Sequence, residues 1–175
     1  MSDFEFAVAH TLEAEGVFSD HPDDPGGATK HGITEAVARR HGYTLDMVDL
    51  PEEFARHIYR EDYWDALRLD EVDSKYIAAE VFDTAVNMGP GPASEIVQRS
   101  CRLMGEHNLK VDGVIGPRTL GAVNSLLPRY EAHLYHCLNG YQFIRYVELF
   151  EANPADRRAF IKGWMRRLAR FPAMA

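Results

Sequence analysis

The chain has 175 residues, 46% of them hydrophobic and 26% charged, with a formal net charge of −8. That length and apolar share support one folded core and exclude the disordered class, and so acidic a body argues against a nucleic-acid partner. No run of 18 apolar residues occurs, so no membrane-spanning helix is expected. Cys101 and Cys137 are too few for a disulfide framework and read as buried free thiols.

The first helix is predicted over residues 3–15. Phe4, Val8, Leu12 and Glu15 fall at i, i+4, i+8 and i+11, so Glu15 closes an apolar stripe while Glu13 projects from another face. Gly16 supplies the stop. A carboxyl group at a helix C-terminus on an apolar face is penalised as an anion by the helix dipole and by lost hydration, so its pKa is expected to rise, as a general acid requires. Residues 17–33 follow as an irregular or hairpin stretch, the one convincing place for strands. Asp24 sits there among Pro22, Pro25, Gly26 and Gly27, where backbone N–H groups and solvent keep a carboxylate ionised. Two carboxyl groups held in different protonation states are the pair that glycoside hydrolysis uses. The structural alternative is that Asp24 caps its turn and Glu15 is solvated.

Thr34 is the expected N-cap of a short helix to Arg40, ended by His41 and Gly42. Pro51 is read as the first position of a helix to about Leu67, with Phe54, Ile58 and Tyr59 inward. Residues 73–87 form the most apolar predicted helix, with Ile77, Ala78, Val81, Phe82 and Ala85 as its core face. GPGP at 89–92 breaks the chain, and Ala93, Ile96, Val97, Ser100 and Met104 begin a new face. Helices are predicted over 117–126, 129–150 and 154–170. His133 and His136 stand near Cys137, yet neither HExxH nor paired CxxC occurs, so no metal and no cofactor are expected.

The tail differs in charge from the body. From Arg157 onward there are six bases and no acids, which leaves −14 for the first 156 residues. Phe160, Ile161, Trp164, Met165 and Leu168 make an apolar stripe flanked by Arg158, Lys162, Arg166, Arg167 and Arg170. Either this helix packs on the acidic body, or its outward bases attract anionic surfaces such as the outer membrane.

The pattern E-G followed by P-D-D-P-G-G-x-T-x-x-G-I-T resembles the opening of the glycoside hydrolase family 108 N-acetylmuramidases of bacteria and phages. The resemblance continues through YREDYWDAL at 59–67, VFDTAVNMGPG at 81–91, VDGVIGPRTLGAVN at 111–124 and KGWMRRL at 162–168. It implies a predominantly α, lysozyme-like domain with a small β-hairpin lobe, cleaving the β-1,4 bond between N-acetylmuramic acid and N-acetylglucosamine in peptidoglycan. By position in the motif, Glu15 is the acid, Asp24 the base and Thr29 the residue that orients water. The stretch VDGVIGPRT also resembles the loop of small peptidoglycan-binding repeats, but within this family it is integral to the fold. Residues 1–175 are therefore expected to form one domain, with 93–175 a dependent helical part.

A glycan groove needs aromatic faces and amide or hydroxyl groups. Tyr63, Trp64, Asn87 and Tyr141 are the candidates, Asn87 because it is expected to close the core helix; its alternative is a C-capping role, and that of Tyr63 and Trp64 is packing. The acidic N-terminus MSDFEFAVAH lacks a secretory pattern. The protein, expected as a monomer, is on that ground expected to accumulate in the cytoplasm, and the resemblance to phage endolysins implies that it reaches the wall through a holin-type pore or cell rupture. Two rivals stay open: a lytic transglycosylase, which leaves anhydro sugar ends, and a noncatalytic wall-binding or secretion-accessory protein.

Overall fold

The computed structural model describes residues 2–14, 18–19, 28–153 and 161–168. Helix α1 spans Asp3–Ala14. Strands β1 (Phe18–Ser19), β2 (Thr29–Lys30) and β3 (Ile33–Thr34) make an antiparallel sheet in the order β1-β2-β3. Helix α2 (Glu35–Arg40) and α3 (Glu52–Ile58) follow, and α3 runs directly into a π-helical turn over Tyr59–Asp65. The second half is built from α4 (Lys75–Met88), α5 (Pro90–Leu103), α6 (Pro117–Ala152) and α7 (Ile161–Leu168). This is the helical body with a small β lobe after the first helix that the resemblance implies.

Helix α4 is the centre of the core. Its apolar side presents Ile77, Ala78, Val81, Phe82 and Ala85, all buried, which is the face predicted from periodicity. Phe82 sits among three other rings, with centroids 6.2 Å from Phe4 of α1, 5.6 Å from Tyr59 and 5.8 Å from Trp64, each edge to face. Edge-to-face pairs add about 0.5–1.5 kcal/mol each beyond the area they bury. Four aromatic residues thus bind α1, the π-helical turn and α4 together.

Several boundaries differ from the predicted ones, each for a local reason. Thr34 does cap α2, its hydroxyl accepting from the Val37 N–H, and His41 ends the helix. Pro51 stands just outside α3 in an extended conformation (φ −68°, ψ 143°), so the helix begins at Glu52. Ser74 caps α4 by accepting from the Ile77 N–H at 3.2 Å, and the helix continues past Asn87 to Met88. Only Gly89 of GPGP breaks the chain, at φ +92°, because Pro90 is compatible with the first helical turn. The two helices predicted over 117–126 and 129–150 form one 36-residue run kinked at Tyr130 (φ −131°, ψ 21°), just past Pro128, which cannot donate to the helix ladder. Of the helix predicted over 154–170, residues 161–168 are helical and the remainder lies outside the described residues.

Helix α7 packs on the body. Trp164 lies flat on Tyr146 of α6, with centroids 4.8 Å apart and planes 10° from parallel, and Arg167 donates to Asp83 of α4 at 2.6 Å. Lys162 and Arg166 remain exposed. Among the described residues no helix is long and apolar enough to cross a membrane.

The loop over 111–116 is held by one buried side chain. Gln98 of α5 donates to Asp112 Oδ1 (2.9 Å) and the Val114 carbonyl (2.9 Å), and its own oxygen accepts from the N–H groups of Asp112 (2.9 Å) and Gly113 (3.0 Å). These bonds give the Asp-Gly turn its shape without a ligand. Gln98→Leu keeps the volume but leaves those backbone groups without Gln98 as a partner, and is expected to lower unfolding free energy by about 2–4 kcal/mol. Urea unfolding of the two proteins measures it, and a change below about 0.5 kcal/mol, the usual scale of a neutral surface substitution, would contradict this role.

Candidate functional site

Glu15 and Asp24 lie outside the described residues; what is described is the frame around them. Ser19 of β1 pairs with Thr29 of β2, so the two described ends of the stretch that carries Asp24 stand side by side. Thr29, half-buried, also faces Thr34 across the second ladder. His31 (φ +51°) and Gly32 (φ +73°) turn the chain from β2 to β3.

Several contacts among the described residues tie this lobe to the helical body. Ile33 is 1% exposed and enters the core. Lys30 Nζ donates to the Val48 carbonyl, and Tyr59 Oη donates to the His31 carbonyl. The Tyr59 ring belongs to the Phe82 cluster, so its hydroxyl carries the position of the core directly to the β2–β3 turn. Burial pushes the Tyr59 phenol well above its ordinary pKa, with Tyr63 and Asp83 adding to it, so it stays a proton donor throughout the neutral range. Burial, and then the charge of Lys30, hold the His31 imidazole below its usual value.

The predicted glycan-reading residues separate. Tyr63 is half-buried, its ring 5.9 Å from Tyr59, and is the aromatic candidate that neighbours the lobe's anchor. Burial, with the Asp62 carboxylate, raises its pKa. Trp64 is completely buried: its indole N–H donates to Asp70 at 2.8 Å and its ring meets Phe4 and Phe82, so in this structure it has no face to offer a sugar. Asn87 is inside the last turn of α4 and is not the cap; its side-chain Oδ1 accepts from Tyr146 Oη at 3.0 Å, linking it to the ring on which Trp164 stacks. Tyr141 lines a groove between α5 and α6.

A further carboxyl group escapes sequence reasoning. Glu80 is 3% exposed, on the side of α4 that faces α6, with Tyr135 and Asn139 as its hydrogen-bonding neighbours. Burial, and then the nearby Asp83, push its pKa up to about 8, against a smaller downward effect of those two hydrogen bonds. The signal was present, since Glu80 interrupts the apolar run between Ile77 and Val81. Thr84 accepts from Gln142 at 3.2 Å one turn further on, so α4 meets α6 through a polar seam. Among the described residues no group of three or more His, Cys, Asp or Glu could hold a metal ion. Both cysteines are free; Cys101 is buried, its thiol pushed up to about 12 chiefly by burial, while Cys137 is only half-buried.

The raised pKa of Glu80 sets a pH dependence. In the folded chain it keeps its proton up to about 8, whereas in the unfolded chain it ionises near 4.5, so the unfolded state binds fewer protons in between. Its contribution to stability is complete below the lower value and is lost as pH rises through the upper one. Glu80→Gln should therefore flatten the decline in stability between those limits, read from denaturant midpoints across pH. A decline of equal slope in both proteins would contradict the assignment.

The family model described as glycosyl hydrolase 108 matches residues 8–89, which include Glu15, Asp24 and Thr29. A second model, described as a predicted peptidoglycan domain, matches residues 92–169. Twelve chains of solved structures match. One, described as "Structure of Brucella abortus SagA", is 30% identical, with a TM-score of 0.76 over 95% of this chain and 90% of that one. No curated protein matches.

Proposed function

Because the chain belongs to the glycosyl hydrolase 108 family and is a glycoside hydrolase acting on peptidoglycan, we propose that it cleaves the β-1,4 bond on the reducing side of N-acetylmuramic acid by hydrolysis, with Glu15 and Asp24 as the reacting pair. Glu15 gives its proton to the glycosidic oxygen as that bond breaks. Asp24 takes a proton from the water that attacks the opposite face of the ring, and Thr29 orients that water. A base acting through water inverts the anomeric centre and calls for carboxyl groups about 6.5–9.5 Å apart.

The observation that carries this reading is the family match over residues 8–89, within which Glu15, Asp24 and Thr29 occupy the motif. The fold is consistent with it. Phe4, Val8 and Thr11 of α1 are buried along one face, and Glu15 follows four residues after Thr11 in the sequence. Thr29 sits in the strand that borders the Asp24 stretch. The DGVIGPRT loop alone favours a wall-binding protein less, since Gln98 accounts for its shape. We also propose that the parts matched by the two models act as one unit, since α5 begins immediately after Gly89 and packs on α4.

Digestion of purified peptidoglycan followed by mass spectrometry tests the bond and the mechanism together. The expected products carry hydrated N-acetylmuramic acid at their reducing ends, and Glu15→Gln should release them at least about 100-fold more slowly, the scale of a lost general acid. Anhydro ends would identify a transglycosylase, reducing-end N-acetylglucosamine would move the cleaved bond, and undiminished release by Glu15→Gln would remove the acid from the mechanism.

A further inference from the structure

The groove between α5 and α6 combines apolar side chains with charges of both signs. Its volume is about 220 Å³, below the range of about 300–1,000 Å³ typical of sites that engulf a whole ligand. Tyr141 and Ile144 provide its apolar part, and Ile144 is 50% exposed. Around them stand two acids and two bases: Glu95 and Arg99 from α5, Arg145 and Glu148 from α6. The DGVIG loop abuts the same place, since a Cβ on Gly113 would lie 3.7 Å from Glu95 Cγ.

Among the described residues each base is paired along its own helix, Arg99 with Glu95 at 3.4 Å and Arg145 with Glu148 at 3.2 Å, and all four side chains are about half exposed. Ion pairs of that kind contribute about 0–1 kcal/mol, so a ligand's charged groups can replace them at little cost. The mixture of signs is selective. A polyanion would gain two bases and be repelled by two acids, and a neutral glycan would gain nothing from the signs of the charges, which would stay paired along their own helices. A short peptide with carboxylates and an ammonium group matches both signs, and a planar guanidinium takes a carboxylate through two parallel hydrogen bonds.

We propose that this groove binds the peptide stem of peptidoglycan, seating a carboxylate of the stem on Arg99 or Arg145, its ammonium group on Glu95 or Glu148, and its aliphatic portion on Tyr141 and Ile144. The inference rests on the reading that the chain acts on peptidoglycan, and adds that its C-terminal half recognises the peptide where the N-terminal half cuts the sugar. Stem contact then raises the local concentration of glycan at the hydrolytic half through a single chain.

Calorimetric titration of the full chain tests it with two probes, the soluble tripeptide L-Ala-γ-D-Glu-meso-diaminopimelate and the peptide-free sugar chitotetraose. Both are titrated into Glu15→Gln protein, so that the outcome does not depend on hydrolysis. The tripeptide should bind, and Arg145→Glu should weaken it about tenfold or more by turning attraction into repulsion. The exchange Glu95→Arg with Arg99→Glu keeps the pair on α5 but inverts its direction, and should weaken the tripeptide likewise; chitotetraose should be unaffected. Thermal unfolding confirms that the variants are folded. No tripeptide binding at millimolar concentration, equal binding by the variants, or loss of chitotetraose in those variants would each overturn the proposal. The first two would leave the muramidase reading intact, and the third would give the groove to glycan.

Discussion

Phe82 is the point on which the rest of this structure depends. Its ring meets Phe4 of α1 and Tyr59 and Trp64 of the π-helical turn, two elements that are remote from each other in sequence. Through Phe4 it fixes α1, the helix that leads to Glu15. Through Tyr59 it reaches the β lobe, because the same side chain that packs on Phe82 also donates its hydroxyl to the His31 carbonyl. A core that only buried apolar area would leave the angle between body and lobe undetermined, since burial is non-directional. The hydroxyl adds a direction.

The other sides of α4 are polar, and that division explains how the C-terminal half is attached. Glu80 faces Tyr135 and Asn139, Thr84 takes a hydrogen bond from Gln142, Asn87 takes one from Tyr146, and Asp83 holds Arg167 of α7. A helix that meets its partners through hydrogen bonds on one side and rings on the other is fixed in rotation as well as in position, because each polar group has a partner to lose. The acidic body and basic tail seen in the charge distribution meet here, in a pair whose side chains are 8% and 16% exposed. Within the described part of the tail Trp164 of the apolar stripe stacks on Tyr146, and two bases, Lys162 and Arg166, stay outward.

Elements set by local chemistry were legible in the sequence. Thr34 as a cap, the core face of α4 and the position of the strands all follow from side-chain oxygen at a helix start, apolar spacing, and glycine and proline in turns. What was not legible depends on partners far along the chain. Trp64 reads more readily as core than as a platform, and its contacts with Phe4, Asp70 and Phe82 decide for core. Asn87 looked like a helix end because Gly89 is near, but Tyr146, 59 positions away, determines its use. Glu80 is an acid in an apolar run, and its burial has no local explanation until α6 supplies its neighbours. Thr29 is placed by its strand pairing, and Glu15 and Asp24 rest on the motif and the family.

The claim that Tyr59 couples the core to the lobe has a direct measurement in amide hydrogen exchange of Tyr59→Phe, which keeps the ring in the Phe82 cluster and removes only the hydroxyl. Faster exchange is expected in residues 28–34, by about the fivefold that 1 kcal/mol, the net worth of one hydrogen bond, allows, with α4 and α6 protected as before. Unchanged exchange in 28–34, or loosening spread evenly through α4 and α6, would contradict it.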